Sequence, residues 1–152
     1  MTEIQQHIAS IRATIPDGVT LVCVSKFHPV EAIMEAYDCG ERDFGESRVQ
    51  ELLPKYKALP KDIRWHFIGH LQTNKVKYIA PYVYLIHSVD SLKLLKEINK
   101  HAIQNGRTIN YLLQIHVAEE ETKFGLTENE CIEMLESDEW KALTNVQACG
   151  VM

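Results

Sequence analysis

The sequence predicts a parallel α/β fold, and three observations carry that prediction. Short apolar runs rich in β-branched residues recur along the 152-residue chain, and each is followed by a stretch with apolar residues at helical spacing. Polar residues cluster where each run ends, the side on which parallel α/β proteins bind their ligands. The runs return at intervals of roughly 20 to 35 residues, the repeat of a strand–helix unit. Eight such units close a barrel of about 250 residues, so a barrel here would lack about two units. A doubly wound open sheet would be complete at this length, and the pattern alone leaves both open.

The elements follow in order. Thr2 with Gln5 forms a capping box for a helix with Ile4, Ile8, Ile11 and Ile15 on one face, ended by Pro16-Asp17-Gly18. Val19 to Val24 is too brief for a helix and reads as the first strand, followed by Ser25-Lys26 and by Pro29 at a helix start. That helix carries Val30, Ile33, Met34 and Tyr37 and stops at Gly40, a residue suited to the left-handed conformation past a helix end. Asp43-Phe44 makes a weak second strand, and the helix bearing Val49, Leu52, Leu53 and Tyr56 should be kinked or delayed by Pro54. Ile63, Trp65 and Phe67 alternate with Arg64 and His66 in a third strand, and Thr73 caps a helix with Val76 and Ile79 that Pro81 closes.

Val83 to His87 is the fourth strand. Ser88, Asp90 and Ser91 supply caps for a helix with Leu92, Leu95, Ile98 and Ala102, which ends at Asn105-Gly106. Ile109 to Val117 is the fifth strand. Beyond the acidic loop Ala118 to Thr122, Thr127 and Glu130 form a second capping box for a helix with Cys131, Ile132 and Leu135. Val146 to Met152 reads as the sixth strand.

Composition narrows the function classes. A net charge of -5 and a pI near 5.8 supply no basic stripe to neutralise a phosphate backbone, so nucleic acid is not an expected partner. The N-terminus has no uninterrupted apolar core of a signal peptide, and no stretch approaches a bilayer span, so the expectation is a cytoplasmic protein with no membrane partner. Cys23, Cys39, Cys131 and Cys149 stand far apart without a C-x-x-C, which predicts buried free thiols rather than a disulfide framework. His66 and His70 have the i, i+4 spacing of helical metal ligands, but on a strand that separation spans about 13 Å. His66 is therefore read as a core or site-lining hydrogen-bonding residue, and no metal is expected.

The chemistry-bearing candidates are Lys26, Gly45-Glu46-Ser47, Gly69-His70, Ser88-Val89-Asp90 and Lys123, each at or beyond a strand's C-terminal end. Capping is the simpler explanation for Ser88, Asp90 and Thr73. Lys26 either ends its strand in water or does chemistry. A lysine that forms a Schiff base must be deprotonated to attack an aldehyde, and partial desolvation favours the neutral amine.

Several segments are specific enough to carry a resemblance. Val22-Cys23-Val24-Ser25-Lys26, Phe44-Gly45-Glu46-Ser47-Arg48-Val49-Gln50-Glu51, Trp65-His66-Phe67-Ile68-Gly69-His70-Leu71-Gln72-Thr73-Asn74-Lys75 and Ile86-His87-Ser88-Val89-Asp90-Ser91 closely resemble the pyridoxal phosphate homeostasis protein family. Glu121-Thr122-Lys123-Phe124-Gly125-Leu126 and Gly150-Val151-Met152 are similar to further segments of that family. The resemblance runs in order along the whole chain. It implies a TIM-type (β/α) barrel similar to the N-terminal domain of bacterial alanine racemase, with about six of eight units in a single incomplete domain, residues 1–152.

The resemblance also implies pyridoxal 5′-phosphate as cofactor, held as a Schiff base on Lys26, with Val24, Ser47, His66 and Met152 around it. Val24, two residues before Lys26 on the strand, should project to the same side. Ser47 departs from the family pattern, where asparagine is frequent, and a serine there would reach less far. Family members continue into two more strands whose loops hold the phosphate, and those residues are absent here. The chain is thus expected to be part of a longer protein, with two open strand edges that favour association.

The implied role is intracellular vitamin B6 homeostasis: a carrier that holds the cofactor and releases it to pyridoxal-phosphate-dependent apoenzymes, monomeric in its full-length form and with no turnover required. The alternative is an amino-acid racemase-like enzyme, which would need acid and base groups on both faces of the substrate. A Schiff-base aldolase or an interaction module without cofactor are further readings. Lys75 and Lys123 are open candidates for a second cofactor molecule.

Overall fold

In the third strand, Trp65 and Phe67 alternate with Arg64 and His66, and the structure turns the two sets to opposite faces of a sheet. The same parity holds along its neighbours. Phe44, Ile86, Ile109, Tyr111 and Leu113 are buried beneath helices on the outer face, whereas Gly45, Leu85, His87, Asn110 and Leu112 lie on the inner one. The computed structural model describes residues 1–117 and 124–152. The acidic loop Ala118 to Thr122 and Lys123, singled out in the sequence, fall outside the described residues.

Among the described residues, six strands form one sheet: β1 (Cys23–Val24), β2 (Asp43–Glu46), β3 (Arg64–Phe67), β4 (Leu85–Val89), β5 (Ile109–Leu113) and β6 (Val146–Val151). They lie side by side in sequence order, and every neighbouring pair is parallel. A doubly wound sheet would reverse direction at a switch point, so this order resolves the open choice in favour of a barrel-type sheet with six of its eight strands. The helices α1 (Glu3–Arg12), α2 (Val30–Asp38), α3 (Val49–Ala58), α4 (Val76–Ile79), α5 (Leu92–Gln104), α6 (Glu128–Glu136) and α7 (Asp138–Lys141) run between or beside them. The core lies between sheet and helices, where Leu52, Val76, Ile79, Leu95, Ile98 and Ala102 are inaccessible to solvent.

Local signals explain most of the boundaries. Both capping boxes form, at Thr2–Gln5 and at Thr127–Glu130, with each side chain serving the other residue's backbone N–H. Ser91 caps α5 by accepting from the Leu94 N–H, and Gly40 has a φ of 105° just past α2.

Other expectations are corrected. Among the described residues, the first strand pairs only at Cys23–Val24, because β1 has a single neighbour there and none of them holds Val19 to Val22 in a ladder. α3 begins at Val49 and runs through Pro54 without a late start, since the missing N–H removes only one helical bond and Pro54 is exposed. Thr73 does not cap a helix. It opens a short 3-10 turn, Thr73–Lys75, that leads into α4, and the residue before it makes no side-chain cap. β4 lies two residues later than expected, at Leu85–Val89, and Ser88 is therefore a buried strand residue whose hydroxyl donates to the Gly69 carbonyl. β5 ends at Leu113, beyond which Ile115 makes an isolated bridge to Leu126. All four cysteines are free, but Cys39 and Cys149 are exposed and Cys23 and Cys131 only partly covered, because each lies at a helix end, on a sheet edge or in the outer layer.

Candidate functional site at the strand C-terminal ends

Register partners define the inner face. Val24, Gly45, His66, Leu85, Asn110 and Gln147 pair in succession and form one row across the sheet. Gly45 is small because a Cβ there would come within 3.1 Å of Ile68 Cδ1 and 3.3 Å of Val22 Cγ1. Val24 is half exposed on this face, while Cys23 packs the other way onto the core.

Lys26 sits above that row in a tight turn. The His28 N–H donates to the Ser25 carbonyl (3.0 Å), and Phe27 has a φ of 67°, so Lys26 and Phe27 are the central pair of a turn whose third residue is left-handed. That conformation is uncommon for a bulky residue and requires outside support. The support is visible. The Phe27 N–H donates to Glu51 Oε2 at 2.6 Å, and the Ser25 N–H donates to the Gly45 carbonyl at 2.9 Å. Lys26 itself is half-buried, and among the described residues its amine has no hydrogen-bond or ion-pair partner.

Behind the turn, in the layer between β2 and α3, lies a buried charge network. Lys55 Nζ donates to the Ser25 carbonyl, to Glu46 Oε2 and to Glu51 Oε2, each at 2.9 Å. The Ser25 hydroxyl donates to Glu46 Oε2 at 2.5 Å. Burial pushes the Glu46 carboxyl up, only partly offset by Ser25 and Lys55. At Glu51, desolvation is outweighed by the bonds from Lys55 and Phe27, and the carboxyl is lowered. This network was missed in the sequence. Its signals were Glu46, charged at the same strand parity as the buried Phe44, and the i, i+4 pair Glu51–Lys55.

A second polar layer lines the inner face lower in the sheet. His66 is buried, with Nε2 at 2.9 Å from Asp43 Oδ1 and Nδ1 at 2.9 Å from His87 Nε2. Arg64 donates twice to Asp43, at 2.9 and 2.7 Å. Desolvation resists the Asp43 charge, but Arg64 and His66 outweigh it and hold the carboxyl down. Burial, then the neighbouring His66, lowers His87 to about 4. Both His66 ring nitrogens are thus engaged within the protein, and its face rather than a nitrogen is left for a ligand.

The remaining candidates lie farther round the mouth. Ser47 approaches Gly69 closely enough that a Cβ on Gly69 would stand 2.8 Å from the Ser47 Cα. Ser47, Arg48, His70, Gln72 and Lys75 border a cleft of about 190 Å³ between β2 and β3. The His70 ring stacks on Phe124 at 4.0 Å, tying this loop to the segment after β5. Met152 lies at the open end of β6, half exposed, with its backbone paired to Leu113 and Ile115. Val24 and Gly45 are register partners just below the Lys26 turn, whereas Met152 follows β6 at the other edge of the sheet.

A parallel sheet in sequence order, with a lysine-bearing turn at the C-terminal end of its first strand, defines a (β/α)-barrel-type protein whose strand mouth is the candidate site. The full chain, residues 1–152, matches the model of the alanine racemase N-terminal domain, and it belongs to that family. Among curated relatives, the pyridoxal phosphate homeostasis protein of Aquifex aeolicus is 46% identical over 133 residues, covering 87% of this chain and 58% of that protein. That of Synechocystis is 40% identical over 146 residues, covering 95% and 66%. The human one is 38% identical over 159 residues, covering 98% and 58%. The chain therefore spans less than two thirds of the length of its Aquifex and human relatives.

The structure of PipY from Synechococcus elongatus with PLP bound superposes with a TM-score of 0.88 at 37% identity, covering 99% of this chain and 69% of PipY. Alanine racemase from Streptomyces lavendulae shares the fold, with a TM-score of 0.79 at 19% identity over 97% of this chain and 39% of the racemase. Among the described residues, no helix is long and apolar enough to cross a membrane.

Proposed function

We propose that this chain binds pyridoxal 5′-phosphate through Lys26 and serves intracellular vitamin B6 homeostasis, as a carrier rather than a racemase. The observation that carries the reading is Lys26: a half-buried amine, without a partner among the described residues, on a braced turn at the strand mouth. Pyridoxal phosphate would supply an aldehyde, and Lys26 would be the amine that holds it as a Schiff base, with water as the leaving group. The relatives' names and the PLP-bound PipY structure support the cofactor class.

The chain's own residues take the following parts. Val24 offers an apolar wall on the same face, Gly45 admits the Ile68 and Val22 side chains over the inner row, and the face of His66 closes the floor. Ser47 supplies a hydroxyl at the end of β2, and Met152 an edge at the end of β6. Residues 1–152 are read as one incomplete barrel domain, and pyridoxal-phosphate-dependent apoenzymes as the recipients of the cofactor.

The test is an absorbance spectrum of the purified chain with added pyridoxal phosphate, followed by borohydride reduction and peptide mapping, with Lys26→Ala as control. A reduced adduct on Lys26 that disappears in the variant is expected. Adducts scattered over surface lysines, unchanged in Lys26→Ala, would overturn the reading.

A further inference from the structure

We propose that the buried network of Glu46, Lys55 and Glu51 is a positioning device that holds the Ser25–His28 turn in the single backbone conformation that presents Lys26. The inference rests on the reading of Lys26 as the cofactor lysine. Its geometric basis is convergence. The three hydrogen bonds of the Lys55 ammonium end on the Ser25 carbonyl, Glu46 and Glu51, and those two carboxylates in turn receive the Ser25 hydroxyl and the Phe27 N–H. Ser25 and Phe27 flank Lys26 on either side. The network thus grips both neighbours of the lysine and leaves its amine untouched.

Stability alone does not account for this arrangement. Glu46 is fully buried, its Oε1 has no hydrogen-bond partner among the described residues, and Lys55 is buried beside it. Apolar side chains of similar volume would fill a helix–sheet layer at least as favourably, because desolvating an ion pair offsets most of its attraction. What apolar residues cannot supply is an acceptor for the N–H of a left-handed Phe27 and a donor to the Ser25 carbonyl. Without them the strained turn would relax to commoner conformations and carry the lysine with it. Glu46, Lys55 and Glu51 are positioning residues in this account, acting through the backbone.

Glu51 is the best point of attack, since its side chain is partly exposed and its removal spares the deeper Glu46–Lys55 pair. The experiment reacts the parent chain, Glu51→Ala and Glu51→Gln with pyridoxal phosphate, traps with borohydride, and maps the rate at Lys26 relative to exposed Lys100 by peptide mass. Hydrogen exchange at the Phe27 amide and the melting temperature are measured on the same samples. Glu51→Ala should speed Phe27 exchange and lower the Lys26-to-Lys100 ratio by about tenfold, the equivalent of one charge-assisted hydrogen bond. Glu51→Gln, which keeps an acceptor, should recover most of the ratio, a rescue that a general loss of stability would not produce. A folded Glu51→Ala with the parent ratio overturns the positioning role alone. A parent chain that traps Lys26 no faster than Lys100 overturns it together with the cofactor reading.

Discussion

Individual residues in this chain do work that their type alone does not reveal. Gly69 is not a flexible link. A side chain there would drive into the Ser47 backbone, so Gly69→Ala should cost roughly 1–3 kcal/mol by overpacking, read as a fall in urea midpoint at unchanged slope. His87 makes stability depend on pH. Its folded value of about 4 lies below the 6.5 of the unfolded chain, so below 6.5 the unfolded state binds the extra proton. Stability from this group is complete above 6.5 and lost as pH falls toward 4, by about 2 kcal/mol between pH 7 and 5. The difference between parent and His87→Gln, in urea titrations at both pH values, isolates this slope from Glu46, whose raised carboxyl acts with the opposite sign. An equal slope in both proteins would show that His87 is not kept neutral by the fold.

At the scale of elements, capping chemistry separates signals that formed from signals that did not. Thr127 accepts from the Glu130 N–H and should lose about 1 kcal/mol on replacement by alanine. Thr73 caps nothing, and Thr73→Ala should stay within about 0.5 kcal/mol in the same melts. Both motifs look alike in sequence, as a threonine ahead of an apolar periodic stretch. They differ because the chain after Gly69 first makes a 3-10 turn to reach α4, which puts Thr73 inside the turn rather than before a helix. Ser88 fell to the same cause: a two-residue shift of β4 moved it from a cap to a buried strand position. The i, i+3 and i, i+4 patterns were readable throughout, whereas the lengths of the connections were not.

For the whole molecule, the sheet has two free edges. Among the described residues, β1 pairs only with β2 and β6 only with β5, while Val24, Val151 and Met152 are at least half exposed. Beside β1, a groove of about 440 Å³ runs against α1 and α2, lined by Ile4, Ile8, Ile11, Leu21 and Ala32 among others. Unpaired edges beside apolar surface promote association, so size-exclusion chromatography of the isolated chain should show concentration-dependent oligomers. A monomer peak unchanged over a hundredfold range of about micromolar to sub-millimolar concentration would contradict this.

Hydrophobic periodicity and short capping motifs are local, and they suffice for the order of strands and helices, the alternating faces of β3, the two capping boxes and the place of Lys26 at a strand end. The resemblance to a family rested on contiguous segments and was legible for the same reason. The sheet order that distinguishes a barrel from a doubly wound sheet was not, because it depends on which strands pair across the chain. Nor was the bracing of Lys26, which joins residues from the turn after β1, from β2 and from α3 that stand up to 30 positions apart. Only the fold brings Lys55 under Ser25, and a charge there is stable only because its three donors find their acceptors at once.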